Sequence, residues 1–136
     1  MDRFGVDATR MGFFGSSAGA HLSAMCSLHF PQTVAYVGYY GSYDLGLSMS
    51  IYAPESDVKK HAIYDDFLCG WDPDYIDSQA PAKLLKNPGV LGNKKLDFKS
   101  VLFVGTQDIT ISPDNAFIYE KVMKEAGLKD VEICCY

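Results

Sequence analysis

The stretch Arg10-Met-Gly-Phe-Phe-Gly-Ser-Ser-Ala-Gly-Ala-His-Leu-Ser23 decides the fold. Inside it, Gly15-Ser-Ser-Ala-Gly19 fits the pattern G-x-S-x-G, which in its working form is a tight turn from strand into helix. Such a turn holds its central serine, here Ser17, in a strained conformation with the hydroxyl above the sheet. Gly15 and Gly19 are expected where strand and helix nearly touch and a Cβ would clash. The flanks agree. Met11 to Phe14 is a short apolar run, as in a buried strand. After the motif, Ala18, Leu22, Met25 and Cys26 recur at helical spacing, so the helix is placed from about Ser17 to His29, ahead of Pro31.

Further along, Val34-Ala-Tyr-Val-Gly-Tyr-Tyr40 is nearly all apolar, the mark of a strand covered on both faces. Gly41 to Leu45 reads as the turn at its C-terminal end. Residues 46–98 form an irregular, partly helical excursion. A helix is expected from about Pro54 to Leu68, a turn-rich aromatic stretch from Gly70 to Tyr75, and a short helix over Ala82 to Leu85. Val101 to Val104 is a third strand, followed by the loop Gly105-Thr-Gln-Asp108. Ser112 and Pro113 suit an N-cap and first helical turn. Ile118, Tyr119, Val122, Met123 and Ala126 make an apolar stripe, with Glu120–Lys124 and Lys121–Glu125 pairs opposite and Gly127 as the stop. Val131 to Cys135 is the last strand.

Strands alternating with helical segments predict an α/β fold: a parallel sheet of about four strands, in sequence order, with helices on both faces and right-handed crossovers. The 136 residues read as one partial domain, 1–136. In such sheets, sites form at the C-terminal strand ends. Ser17, Asp44 and Asp108 all fall there.

Composition narrows the partners. With a net charge of −5 and no Lys/Arg cluster, nucleic acid is not expected. No apolar run approaches a membrane span, and the first residues lack the basic start and apolar core of a signal peptide. The four cysteines, Cys26, Cys69, Cys134 and Cys135, match no zinc pattern, so no metal and no cofactor is called for. They read as reduced, in a cytoplasmic protein.

Gly15-Ser-Ser-Ala-Gly-Ala-His-Leu22 and Leu102-Phe-Val-Gly-Thr-Gln-Asp108 resemble an α/β-hydrolase of the carboxylesterase/lipase branch, related to hormone-sensitive lipase and the acetyl esterases. More loosely, Phe67 to Gly70 and Ala80-Pro81 fit the same branch, and the Ser-Ala-Gly-Ala-His-Leu run is similar to kynurenine-formamidase-like members. The resemblance covers most of the chain, but only the second half of a family domain. It implies Ser17 as nucleophile and Asp108 as the acid, with Asp44 as the alternative acid and the Ala18 N–H as an oxyanion donor. It implies a small-molecule ester as substrate.

Two parts of that pattern have no counterpart. No glycine-rich loop stands upstream of Arg10, and the histidine expected after the last strand does not occur before Tyr136. His21 follows Ser17 by one helical turn and reads as a packed or capping residue. His29 lies at the helix end, and His61 in the middle segment. The expectation is therefore a fragment of a serine esterase, inactive alone, with an open sheet edge at the Met11 strand through which it could self-associate. A non-catalytic remnant or association module, and a formamidase-type amidase, are the alternatives.

Overall fold

In the computed structural model, residues 5–52, 72–87, 89, 92 and 96–136 are described. The elements in chain order are β1 (Met11–Ser16), α1 (Ala18–His29), β2 (Thr33–Tyr39), α2 (Leu45–Tyr52), α3 (Pro73–Ser78), α4 (Pro81–Lys86), β3 (Lys99–Val104), α5 (Asp114–Glu125) and β4 (Val131–Cys135). The four strands form one parallel sheet in the order β1-β2-β3-β4. The register sets Gly15, Gly38 and Leu102 side by side, with Ile133 beyond them. The expected helix from Pro54 to Leu68, the Phe67–Gly70 stretch, His61 and Cys69 lie outside the described residues.

One core joins sheet and helices. Tyr36, Leu102, Val104 and Val131 from the strands pack with Ala24 and Leu28 of α1, Ala82, Leu84 and Leu85 of α4, and Tyr119, Val122 and Met123 of α5. All of these strand residues share one sheet face, so α1, α4 and α5 pack on that face together. The expectation of helices on both faces is corrected for the described residues. On the opposite face, Phe14 is 71% exposed, and Tyr39 stacks on Phe103 with ring centres 4.5 Å apart. Phe14 meets Tyr39 edge-on at 6.0 Å. Apolar runs in the strands thus encode a covered face plus an aromatic stripe that the described helices leave open.

Local chemistry explains several boundaries. Asp72 caps α3: its Oδ1 accepts the Asp74 and Tyr75 N–H groups at 3.0 and 3.3 Å, and Pro73 opens the first turn. The turn expected over Gly70 to Tyr75 therefore gives way to a helix from Pro73. Helix α5 begins at Asp114, one residue later than a Ser112 cap implies, although the Ser112 hydroxyl still accepts the Asp114 N–H at 3.3 Å. Its exposed face carries Lys124–Glu120 at 2.7 Å and Lys121–Glu125 at 4.0 Å. No described helix is long and apolar enough to cross a membrane.

Candidate active site

Ser17 sits between β1 and α1 with φ 52° and ψ −123°. A non-glycine residue there is strained. Three hydrogen bonds over-determine it. Its N–H donates to the Tyr39 carbonyl at 2.9 Å, and its carbonyl accepts from the Ala20 and His21 N–H groups at 3.0 and 3.2 Å. Gly15 makes the close approach possible, since a Cβ there would lie 2.2 Å from the Gly19 carbonyl oxygen. A Cβ at Gly19 would meet nothing within 4 Å, which corrects the expectation that both glycines are sterically required. The Ser23 hydroxyl, 2.8 Å from the Phe14 carbonyl and 2.6 Å from that of Gly19, locks α1 onto β1. As the first residue of α1, Ala18 has an N–H without an intrahelical acceptor, at the positive end of the helix dipole.

Ser17 and Asp108 line the same cleft, of about 360 Å³, together with Tyr40, Thr110, Ile111 and Tyr136. Asp108 lies on the loop after β3. Its Oδ1 accepts the N–H groups of Thr110 and Ile111 at 2.8 and 3.0 Å, so the carboxylate is held by its own loop. Asp44 is elsewhere: it does not line the cleft, and its Oδ1 accepts the Leu47 N–H at 3.1 Å at the start of α2. The loop-end position it shares with Asp108 in sequence is spent on starting a helix.

A polar network joins the loops after β2 and β3. The buried Asn115 side chain, at the start of α5, accepts at Oδ1 from Tyr43 N (3.1 Å), Asp44 N (3.0 Å) and the Ser48 hydroxyl (3.2 Å), and donates from Nδ2 to the Ser112 carbonyl at 3.3 Å. The Ser48 hydroxyl in turn accepts from that of Ser42. Asn115 therefore ties the loop after β2 to the loop carrying Asp108. It was readable: Asn115, Ile118, Tyr119 and Val122 share helical spacing, so a polar residue lies in the apolar stripe.

The described histidines are engaged. His21 Nδ1 lies 2.8 Å from the Ser42 carbonyl, which can only accept, so Nδ1 carries the proton. Burial lowers its pKa, partly offset by that hydrogen bond. His29 Nδ1 bonds the Met25 carbonyl of its own helix at 2.8 Å. Behind the site, the Tyr36 hydroxyl donates to the Ala20 carbonyl at 2.8 Å and shares a hydrogen bond with that of Tyr43 at 3.0 Å. Burial keeps both phenols neutral, with Tyr43 pushed up to about 12. Among the described residues, no group of three or more His, Cys, Asp or Glu could hold a metal.

No family model matches the sequence, and no curated protein matches it. Solved structures do. A Pyrococcus horikoshii acylaminoacyl peptidase superposes with a TM-score of 0.75 at 18% identity, over 98% of this chain and 20% of that one. A Mycobacterium tuberculosis puromycin-hydrolyzing peptidase gives 0.72 at 16%, over 96% and 18%. Acetyl xylan esterase 1 from Thermoanaerobacterium sp. JW/SL YS485 gives 0.64 at 17%, over 96% and 40%. The fold is that of part of an α/β-hydrolase. The chain spans about a fifth of the peptidases' length and two-fifths of the esterase's. Identities this low speak to the fold and not to the carboxylesterase/lipase branch within it.

Proposed function

We propose that this chain carries the nucleophile and the acid of a serine hydrolase acting on small acyl esters. One observation supports this above the rest: the strained Ser17, on a strand-to-helix turn, opens onto the same cleft as Asp108. In the reading, Ser17 Oγ attacks the acyl carbonyl carbon while an imidazole takes its proton, because serine is unreactive at its own pKa. The oxyanion forms against the Ala18 N–H at the start of α1. The alkoxide leaving group takes the proton back from the imidazolium, and a water then attacks the acyl-serine by the same route. Asp108 orients the imidazole and stabilises its cation.

The imidazole belongs between Ser17 and Asp108, in the cleft. His21 and His29 do not line it, and their Nδ1 atoms face Ser42 and Met25. The reading therefore draws the base from outside the described residues, following the resemblance to hydrolases whose histidine comes after the last strand. Without a base, turnover falls by roughly 10⁴ to 10⁶, so Ser17 and Asp108 without that imidazole are expected to work near background. Amide hydrolysis is the second reading. It is favoured by the peptidases among the similar structures, and the acyl-transfer steps are the same for both bonds.

Chemical rescue tests the proposal. The purified chain is treated with a fluorophosphonate probe at rising concentrations of free imidazole. Labelling that grows with imidazole, vanishes in Ser17→Ala and falls in Asp108→Asn is the expected result. Labelling that ignores both substitutions at every imidazole concentration contradicts the assignment.

A further inference from the structure

Among the described residues, two non-glycine positions have positive φ: Ser17 at 52° and Tyr40 at 39°. Both line the one cleft. The strain at Ser17 follows from the turn that exposes its hydroxyl. The strain at Tyr40 has a separate origin. Tyr40 N–H donates to the Phe103 carbonyl at 2.8 Å, completing the β2–β3 ladder. The next residue, Gly41, passes under the buried Tyr43 ring, where a Cβ would lie 2.4 Å from a ring carbon. The backbone at position 40 is thus fixed from both sides in a conformation glycine takes without cost.

The position carries a tyrosine instead, and core packing does not account for it. Tyr36, Tyr39 and Tyr43 each stack or meet another ring edge-on. Tyr40 is 37% exposed and lies outside the buried core. Tyr40 lines the cleft with Ile111, Thr110 and Tyr136, and more than a third of it is open to solvent. Strain held at a cleft by a residue that no described ring pair or core cluster includes points to a ligand contact.

We infer that Tyr40 is a specificity-determining wall of the cleft, selecting substrates with a flat aryl group next to the scissile carbonyl. The inference rests on the hydrolase reading of the cleft. A planar group stacks on the Tyr40 ring, and an aromatic pair of this kind changes affinity by about two- to twelvefold.

The test separates contact from packing. The Ser17→Ala chain, which cannot turn substrate over, is mixed with 4-nitrophenyl acetate or ethyl acetate and followed by saturation-transfer NMR. The aryl protons are expected to receive saturation. Adding Tyr40→Gly should cut that signal at least twofold while the melting temperature falls by less than 5 °C, since relieved strain offsets the contact the ring loses. Tyr40→Phe should retain the signal, and ethyl acetate should show no dependence on residue 40. An unchanged aryl signal in Tyr40→Gly, an absent one in the Ser17→Ala parent, or a melting temperature lower by 5 °C or more in Tyr40→Gly (about the size of a lost packing contact) overturns the inference. Imidazole-dependent labelling of Ser17 reports on the hydrolase reading separately. Labelling with Tyr40-independent binding removes only the wall. Tyr40-dependent binding without labelling removes only the chemistry.

Discussion

Replacing Asn115 with alanine should do more damage than any other single polar truncation near the cleft. The side chain is 1% exposed. Its Oδ1 is the acceptor for Tyr43 N–H and Asp44 N–H, and for the Ser48 hydroxyl. The hydroxyl can turn toward Ser42, but two backbone donors cannot turn. Each buried donor left unmade costs about 1–3 kcal/mol, and the Tyr43 donor is the more deeply buried. The Ser112 carbonyl keeps the Asn115 backbone N–H at 3.0 Å, so its loss is minor. The expected destabilisation is about 3 kcal/mol, or roughly 10 °C in melting temperature for a domain of this size. Asn115→Asp is no clean control, because it sets a carboxylate oxygen against the Ser112 carbonyl in a buried site where an unpaired charge is costly. Urea unfolding of wild type and Asn115→Ala measures the value. A loss below about 1 kcal/mol in Asn115→Ala would refute the argument that Oδ1 holds the loop after β2.

Three further outcomes are expected. Gly15→Ala places a Cβ 2.2 Å from the Gly19 carbonyl oxygen, so strand and helix must separate; a loss of about 3 kcal/mol or more is expected in urea unfolding, against under 1 kcal/mol for Gly19→Ala, where nothing lies within 4 Å. His21 has a folded pKa below its ordinary 6.5, because burial disfavours the cation. Its contribution to stability is complete above about pH 6.5 and is lost as pH falls through the folded pKa, so His21→Asn should show a shallower acid-side loss than wild type when melting temperature is measured from pH 7.5 to 4.5. Asp44→Asn should leave imidazole-dependent labelling of Ser17 within about twofold of wild type, whereas Asp108→Asn should lower it by tenfold or more, as expected of the group that orients the base.

The strands and the serine turn were legible because their signals are local. Met11 to Phe14, Val34 to Tyr40, Val101 to Val104 and Val131 to Cys135 are apolar runs at regular intervals, and Gly15 and Ser17 mark a turn that few residues can make. The number of covered faces was not legible. Phe14, Tyr39 and Phe103 give the same apolar run whether a helix lies over them or not, and only the packing of α1, α4 and α5 on the Tyr36 face distinguishes the cases. Helix α2 escaped notice because Gly46, Ser48 and Ser50 dilute its pattern. Helix α3 was hidden by a reading of Asp72-Pro73 as a turn, although aspartate followed by proline is also a cap and first turn. The pair Ser17 and Asp108 could be placed at one sheet edge from strand order alone. The separation of Asp108 from Asp44 could not, because it depends on which loop bends over the cleft. Tyr40 left no trace in the sequence, since its φ is set by Tyr43 packing against Gly41.

The central claim is that Ser17 is a nucleophile served by Asp108. Its most direct measurement is peptide mapping by mass spectrometry after fluorophosphonate treatment in the presence of imidazole. The account predicts a single phosphonyl adduct on Ser17, with none on the adjacent Ser16, and a marked drop in adduct in Asp108→Asn but not in Asp44→Asn. An adduct on Ser16 or on another residue, or a Ser17 adduct indifferent to Asp108, would contradict it.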